Sequence, residues 1–71
     1  MSDDLIKTFG FNFKIERMKK KLTQEDIAEK TGFSLAYISN IENGKHDLSM
    51  KNAITLSRIV GKTIEELISD E

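Results

Sequence analysis

The sequence predicts an all-α protein, a compact bundle of about five short helices. Three observations predict it. No proline occurs in the 71 residues, and most positions hold good helix formers. Apolar residues recur at helical spacing, not in alternation. A hydroxyl N-cap opens and a glycine closes one segment after another: Thr23 to Gly32, Ser34 to Gly44, Ser49 to Gly61, with Thr63 opening the last.

In the first segment Leu5, Ile6, Phe9, Phe13 and Leu22 fit one buried stripe, with Met18 beside it. Asp3 or Asp4 favours its start through the helix dipole. Gly10 inside the pattern costs about 1 kcal/mol, so a start near Gly10 competes with one at the aspartates. Thr23 then caps a second helix running to about Lys30, with Asp26 three residues on as a weak capping box. Gly32 ends it, because glycine accepts the left-handed conformation. Ser34 caps a third helix, roughly Leu35 to Asn43, which Gly44 ends. Lys45 to Leu48 read as a polar loop. Ser49 caps a fourth helix carrying Met50, Ala53, Ile54, Ser57 and Val60, stopped by Gly61. Thr63 caps a fifth, with Ile64, Leu67 and Ile68 on one side.

Composition removes several function classes. The chain reads as a single domain over 1–71, near the lower size limit for independent folding. It has no cysteine and one histidine, His46, so neither a disulfide framework nor a Cys- or His-rich metal site is available. No nucleophile–base pair and no Gly-rich phosphate loop is legible, so no enzyme, metal or cofactor is expected. Asp3 and Asp4 stand at the amino end without a long apolar run. Neither a signal peptide nor a membrane span is expected, and the cytoplasm is the predicted location. No repeat or linker divides the chain. Its net charge is −1, with 11 basic and 12 acidic residues. The distribution is uneven. Lys14, Arg17, Lys19, Lys20 and Lys21 crowd the end of the first segment against Glu16, while Glu65, Glu66, Asp70 and Glu71 crowd the carboxyl end. A basic and an acidic side suit a compact nucleic-acid binder of modest net charge, although a charge run is more often a solvated face.

The stretch Thr23 to Gly44, TQEDIAEKTGFSLAYISNIENG, carries the most information. Two short helices crossing steeply over a tight turn need a small residue at their approach and a glycine where the chain reverses. Ala28 and Gly32 meet those needs, and Ile27, Ile38 and Ile41 point inward. The outward side of the second of these helices holds Ser34, Leu35, Ala36, Tyr37, Ser39 and Asn40, with no charge. A helix this short, about 15 Å long, fits a DNA major groove about 12 Å wide.

With Gln24 and Glu42 added, the stretch resembles the helix-turn-helix of the Cro and phage-repressor type, also called XRE-like or lambda-repressor-like. The likeness covers about residues 9 to 68. It rests on Phe9-Gly10, Arg17, Leu22-Thr23-Gln24, Ile27-Ala28, Gly32, Ile38-Ser39, Ile41-Glu42-Asn43-Gly44-Lys45 and Gly61. In Tyr37-Ile38-Ser39 and in size the chain is also similar to the controller proteins of restriction–modification systems, features that small phage and mobile-element repressors share. The resemblance implies a transcriptional regulator that binds double-stranded DNA. It implies an ion pair between Arg17 and Glu42 that ties the first helix to the recognition helix. Thr23 and Gln24, Asn43, Lys45, His46 and Lys51 would contact phosphates.

On the recognition helix, Ser34 and Ser39 can hydrogen-bond base edges or phosphates, Asn40 can read adenine, and Leu35 and Ala36 can pack on thymine methyl groups. Tyr37 either sends its hydroxyl to a phosphate or covers the core. The chain departs from the family in having Leu35 and Ala36 where glutamine or arginine is common, which shifts weight to A·T-rich sites and DNA shape. Lys21 replaces the usual glycine before Leu22, and Leu48 stands where proline is common. A homodimer is expected, because one helix offers few base contacts. Ile64, Leu67 and Ile68 are the candidate dimer contacts, at least one of them belonging instead to the monomer core. No small-molecule ligand and no membrane is expected. The rival reading is an antitoxin-type or other protein-binding module on the same fold.

Overall fold

The computed structural model describes residues 2–69, folded within 27 × 21 × 19 Å. Among them lie five helices and no strand: α1 (Asp3–Lys19), α2 (Gln24–Thr31), α3 (Leu35–Glu42), α4 (Met50–Ile59) and α5 (Ile64–Leu67). Asp70 and Glu71 of the acidic carboxyl end lie outside the described residues.

The expected punctuation acts at each boundary. Thr23 Oγ1 accepts the Asp26 backbone N–H at 3.0 Å, while the Asp26 carboxylate accepts the Thr23 N–H at 2.8 Å. This is a complete capping box, not a weak one. Thr63 and Glu66 form a second one at the start of α5. Ser34 and Ser49 cap α3 and α4 by accepting from Tyr37 and Asn52. Each such cap stabilises its helix by about 1 kcal/mol.

α1 begins at Asp3, capped by Ser2, and Gly10 lies well inside it. The alternative start at Gly10 is corrected, and the reason for the glycine is tertiary. A Cβ there would overlap the Ile41 carbonyl oxygen and lie 3.1 Å from the Ile41 carbonyl carbon. Two helix backbones meet at this point, and only a hydrogen fits between them.

The core joins Ile6, Phe9 and Phe13 of α1 to Ile27, Ile38, Ile41, Leu48, Ala53, Leu56, Val60 and Leu67. The Phe9 and Phe13 rings lie parallel with centroids 6.3 Å apart. α1 packs against α3 and α5, α2 against α3 and α4, and α4 against α5. Two expected core positions are corrected. Leu5 and Met18 are exposed, because each falls outside the arc of α1 that meets a neighbour, and Met50 and Ile54 of α4 are exposed as well. Leu48 is buried, although its loop was expected to be polar. Ser57, also buried, satisfies its hydroxyl on the Ile54 carbonyl at 2.9 Å.

Between α1 and α2, Lys21 takes the left-handed conformation with φ 58°. The Leu22 N–H reaches back to the Arg17 carbonyl at 3.1 Å, so the turn keeps its closing bond despite the missing glycine. Asn12, in the middle of α1, donates to the Leu67 and Ser69 carbonyls at 2.9 and 2.8 Å. It thereby satisfies carbonyls at the end of α5 that have no partner within the helix.

Candidate nucleic-acid interface

The position of α3 is set from three sides. Gly10 lets its backbone settle onto α1. Ile38 and Ile41 enter the core beside Ile27 of α2. An ion pair holds its last turn: Arg17 Nε donates to Glu42 Oε2 at 2.6 Å, and Nη2 donates to Oε1 at 3.1 Å. The two side chains are 10% and 2% exposed, so this is a desolvated pair with bidentate geometry. Arg17 Nη1 also donates to the Leu22 carbonyl at 2.7 Å, and Gln24 Nε2 donates to Glu42 Oε1 at 3.1 Å. One network therefore joins α1, its following turn, α2 and α3. No buried side-chain polar atom among the described residues lacks a partner.

Two expected phosphate contacts have a donor already engaged within the chain. Gln24 was expected to turn its amide to a phosphate, but one of its amide hydrogens is engaged with Glu42. The Thr23 N–H, at the start of α2, is taken by Asp26. The backbone N–H groups of Gln24 and Glu25 remain without helical partners, as in any first turn.

Ser34, Leu35 and Ala36 are exposed at the start of α3, with Leu35 at 46%. Ser39 and Asn40 are half-buried, and their side chains make no hydrogen bond among the described residues. Ser34 directs its hydroxyl to the Tyr37 N–H at 3.0 Å. Its remaining hydroxyl capacity is what a base or phosphate would meet. Asn43, Lys45 and His46 are exposed beyond α3, and Lys51 is exposed in the first turn of α4.

Tyr37 covers the core, one of its two expected roles. Its ring lies edge-on to Phe33 at 5.1 Å and tilted against His46 at 5.6 Å. Its oxygen accepts from Asn52 Nδ2 at 2.8 Å. Asn52 occupies one acceptor site of the phenol, so this bond does not use the phenolic hydrogen. Asn52 was missed from sequence. It is 15 residues away on α4, and no local pattern couples the two.

The lysines of the first segment are exposed, but Arg17 is buried and adds nothing to the surface charge. Lys19 pairs with Glu16 at 3.3 Å. Of the candidate dimer contacts, Leu67 is 1% exposed and belongs to the core, which removes it as a contact. Ile64 and Ile68 are partly buried against the core.

Two carboxylates have shifted acidities. The Thr23 backbone N–H, then the Thr23 hydroxyl, holds Asp26 below the ordinary aspartate value. Thr63 lowers Glu66 in the same way. Both remain ionised near neutrality and place negative charge at a helix N-terminus, where it is favourable. No helix among the described residues is long and apolar enough to cross a membrane.

The family model described as Helix-turn-helix matches residues 13–67. The chain is similar to the uncharacterised HTH-type transcriptional regulator y4dJ of Sinorhizobium fredii, with 33% identity over 93% of this chain and 86% of that protein. It is 39% identical to the control protein C.MunI of Mycoplasma sp over 80% of this chain and 77% of the relative. The immunity repressor of Bacillus phage phi105 is 28% identical over 90% of this chain but only 44% of its own length. No solved structure matches.

Proposed function

This chain belongs to the Helix-turn-helix family, and from that membership we propose that it regulates transcription by laying α3 in the major groove of double-stranded DNA. The observation that carries the reading is the presentation of α3. Its inner face is locked by Ile38, Ile41 and the Glu42 network, while Ser34, Leu35 and Ala36 stand exposed and uncharged. A rigid rod with an uncharged hydrogen-bonding rim suits a groove, since fixed side chains read base edges with little loss of entropy on binding.

Base reading falls to Leu35, Ala36, Ser39 and Asn40, with Ser34 on a base or a phosphate. Phosphate contacts fall to the start of α2 at Thr23 and Gln24, and to Tyr37, Asn43, Lys45, His46 and Lys51. The whole chain acts as one binding unit, in the cytoplasm, without a cofactor or small-molecule ligand. Two copies bind as a homodimer. Ile64 and Ile68 are the remaining candidates of the first set, and the exposed Ile54 of α4 joins them. The chain regulates its own operon in this proposal; the control protein and the immunity repressor among the relatives support the coarser role of a regulator.

Selection of bound duplexes from a random pool tests this. The expected product is a palindrome with half-sites about 34 Å apart, the spacing of one helical turn. A pool that shows no enrichment would remove the proposal.

A further inference from the structure

The outer side of α1 has no role in the reading above. Phe11 is 64% exposed and Met18 57%, with the half-buried Ile15 between them at helical spacing. They form a second apolar stripe, on a helix whose first stripe already fills the core. With Lys7, Lys14, Glu42 and Asn43 they line a surface groove of about 510 Å³. The Glu42 carboxylate is engaged by Arg17 and Gln24, so the groove's free charge is cationic. Singly exposed apolar residues need no explanation, but a contiguous stripe with a charged rim marks a contact surface.

On its other flank α1 opens onto a groove of about 490 Å³, lined by Asn12, Glu16, Leu67 and Ser69 with Lys62, Glu65 and Glu66. It holds three carboxylates and one ammonium. Glu16 is shared with Lys19, and Glu66 stays ionised through its cap. The two flanks are similar in size and opposite in charge.

We propose that they meet between copies of this chain. The Lys7–Lys14 groove of one copy receives the Glu65–Glu66 edge of the next, and the contact covers Phe11 and Met18. Charge decides which flanks meet. A contact centred on the basic groove would set Lys7 and Lys14 against their own copies, whereas seating that groove on the next copy's acidic flank sets each against carboxylates. The net charge of −1 does not hold copies apart. Seven residues line each groove, few beside the roughly 20–30 a side of a stable interface. The contact is therefore weak in free solution and forms when copies are held side by side on one duplex. Its use there rests on the proposed DNA binding, but its existence does not.

The test uses the full chain. Sedimentation at millimolar protein, and binding to duplexes carrying one or two selected sites, are compared for wild type, Lys14→Glu, Glu65→Lys, both reversals together, and Phe11→Ser with Met18→Ser. Each single reversal is expected to weaken assembly beyond the dimer by about 5-fold, and the pair of reversals to restore it. The serine variant loses assembly and two-site cooperativity but keeps single-site affinity. Recovery in the doubly reversed protein cannot arise from misfolding. Assembly unchanged by the serine substitutions overturns the proposal. So does loss of single-site affinity in Lys14→Glu, which would assign this flank to DNA, or loss of the dimer itself in the serine variant, which would make the face two-fold. Sedimentation reads the contact even if no duplex binds, so failure of DNA recognition is distinguishable.

Discussion

Gly10 and Ile41 bring the backbones of α1 and α3 into direct contact. A side chain at Gly10 would occupy the space of the Ile41 carbonyl oxygen. Because backbone sits on both sides, no rotamer change can relieve the overlap. Gly10→Ala should gain about 1 kcal/mol of helix propensity yet lose about 3 kcal/mol or more from the forced separation of the helices. Urea unfolding reads the balance. An alanine variant as stable as wild type would mean that α1 and α3 lie further apart.

The Arg17–Glu42 pair makes a different kind of contribution. Removing one partner strands a charge that is almost wholly out of water. Arg17→Met alone should cost about 3–5 kcal/mol, while Arg17→Met with Glu42→Leu should cost less than the single change. Unfolding midpoints of the three proteins give the sign. Additive losses would mean that the two groups do not depend on one another.

Lys21 holds a left-handed conformation in which its Cβ is unfavourable. Lys21→Gly should relieve that strain and raise stability by about 1 kcal/mol. A lower thermal midpoint would show that the turn draws more from the lysine side chain than its conformation costs.

The capping boxes predict an acid limb in the stability curve. The Asp26 carboxylate is lowered by the Thr23 N–H it accepts. A carboxyl group with a depressed folded-state value contributes stability above its unfolded value and loses it as pH falls through the folded one. Stability should therefore decline below about pH 4, near the unperturbed aspartate value. Asp26→Asn should flatten that decline, and Glu66→Gln should do so through α5. An acid limb of undiminished slope in both variants would place its origin elsewhere.

On DNA, Asn40 and Lys45 should separate specificity from affinity. Asn40→Ala is expected to weaken the selected site more than random duplex, and Lys45→Ala to weaken both alike. With roughly 6–10 phosphate contacts in a dimer, affinity should fall about 10³–10⁵-fold between about 50 and 200 mM salt. Equal losses from the two substitutions, or a flat salt response, would contradict the division of labour.

Helix number, the N-caps and the closing glycines were legible in the residues themselves, because capping is a local reaction of a side chain with backbone three positions away. The inward residues Phe9, Phe13, Ile27, Ile38 and Ile41 were legible for a similar reason, since helical periodicity fixes which side they share. What periodicity cannot state is how wide an arc of each helix a neighbour covers. Leu5 and Met18 were therefore misplaced, Leu48 was passed over, and which of Ile64, Leu67 and Ile68 belongs to the core stayed open until packing gave it to Leu67. Asn12 on the end of α5 and Asn52 on Tyr37 join residues far apart in the chain. Such bonds exist only once the helices have packed. Sequence alone thus determined the helices and their inner faces. Tertiary structure decided which outer surfaces stay open, because exposure belongs to the distance between two helices and not to either helix by itself.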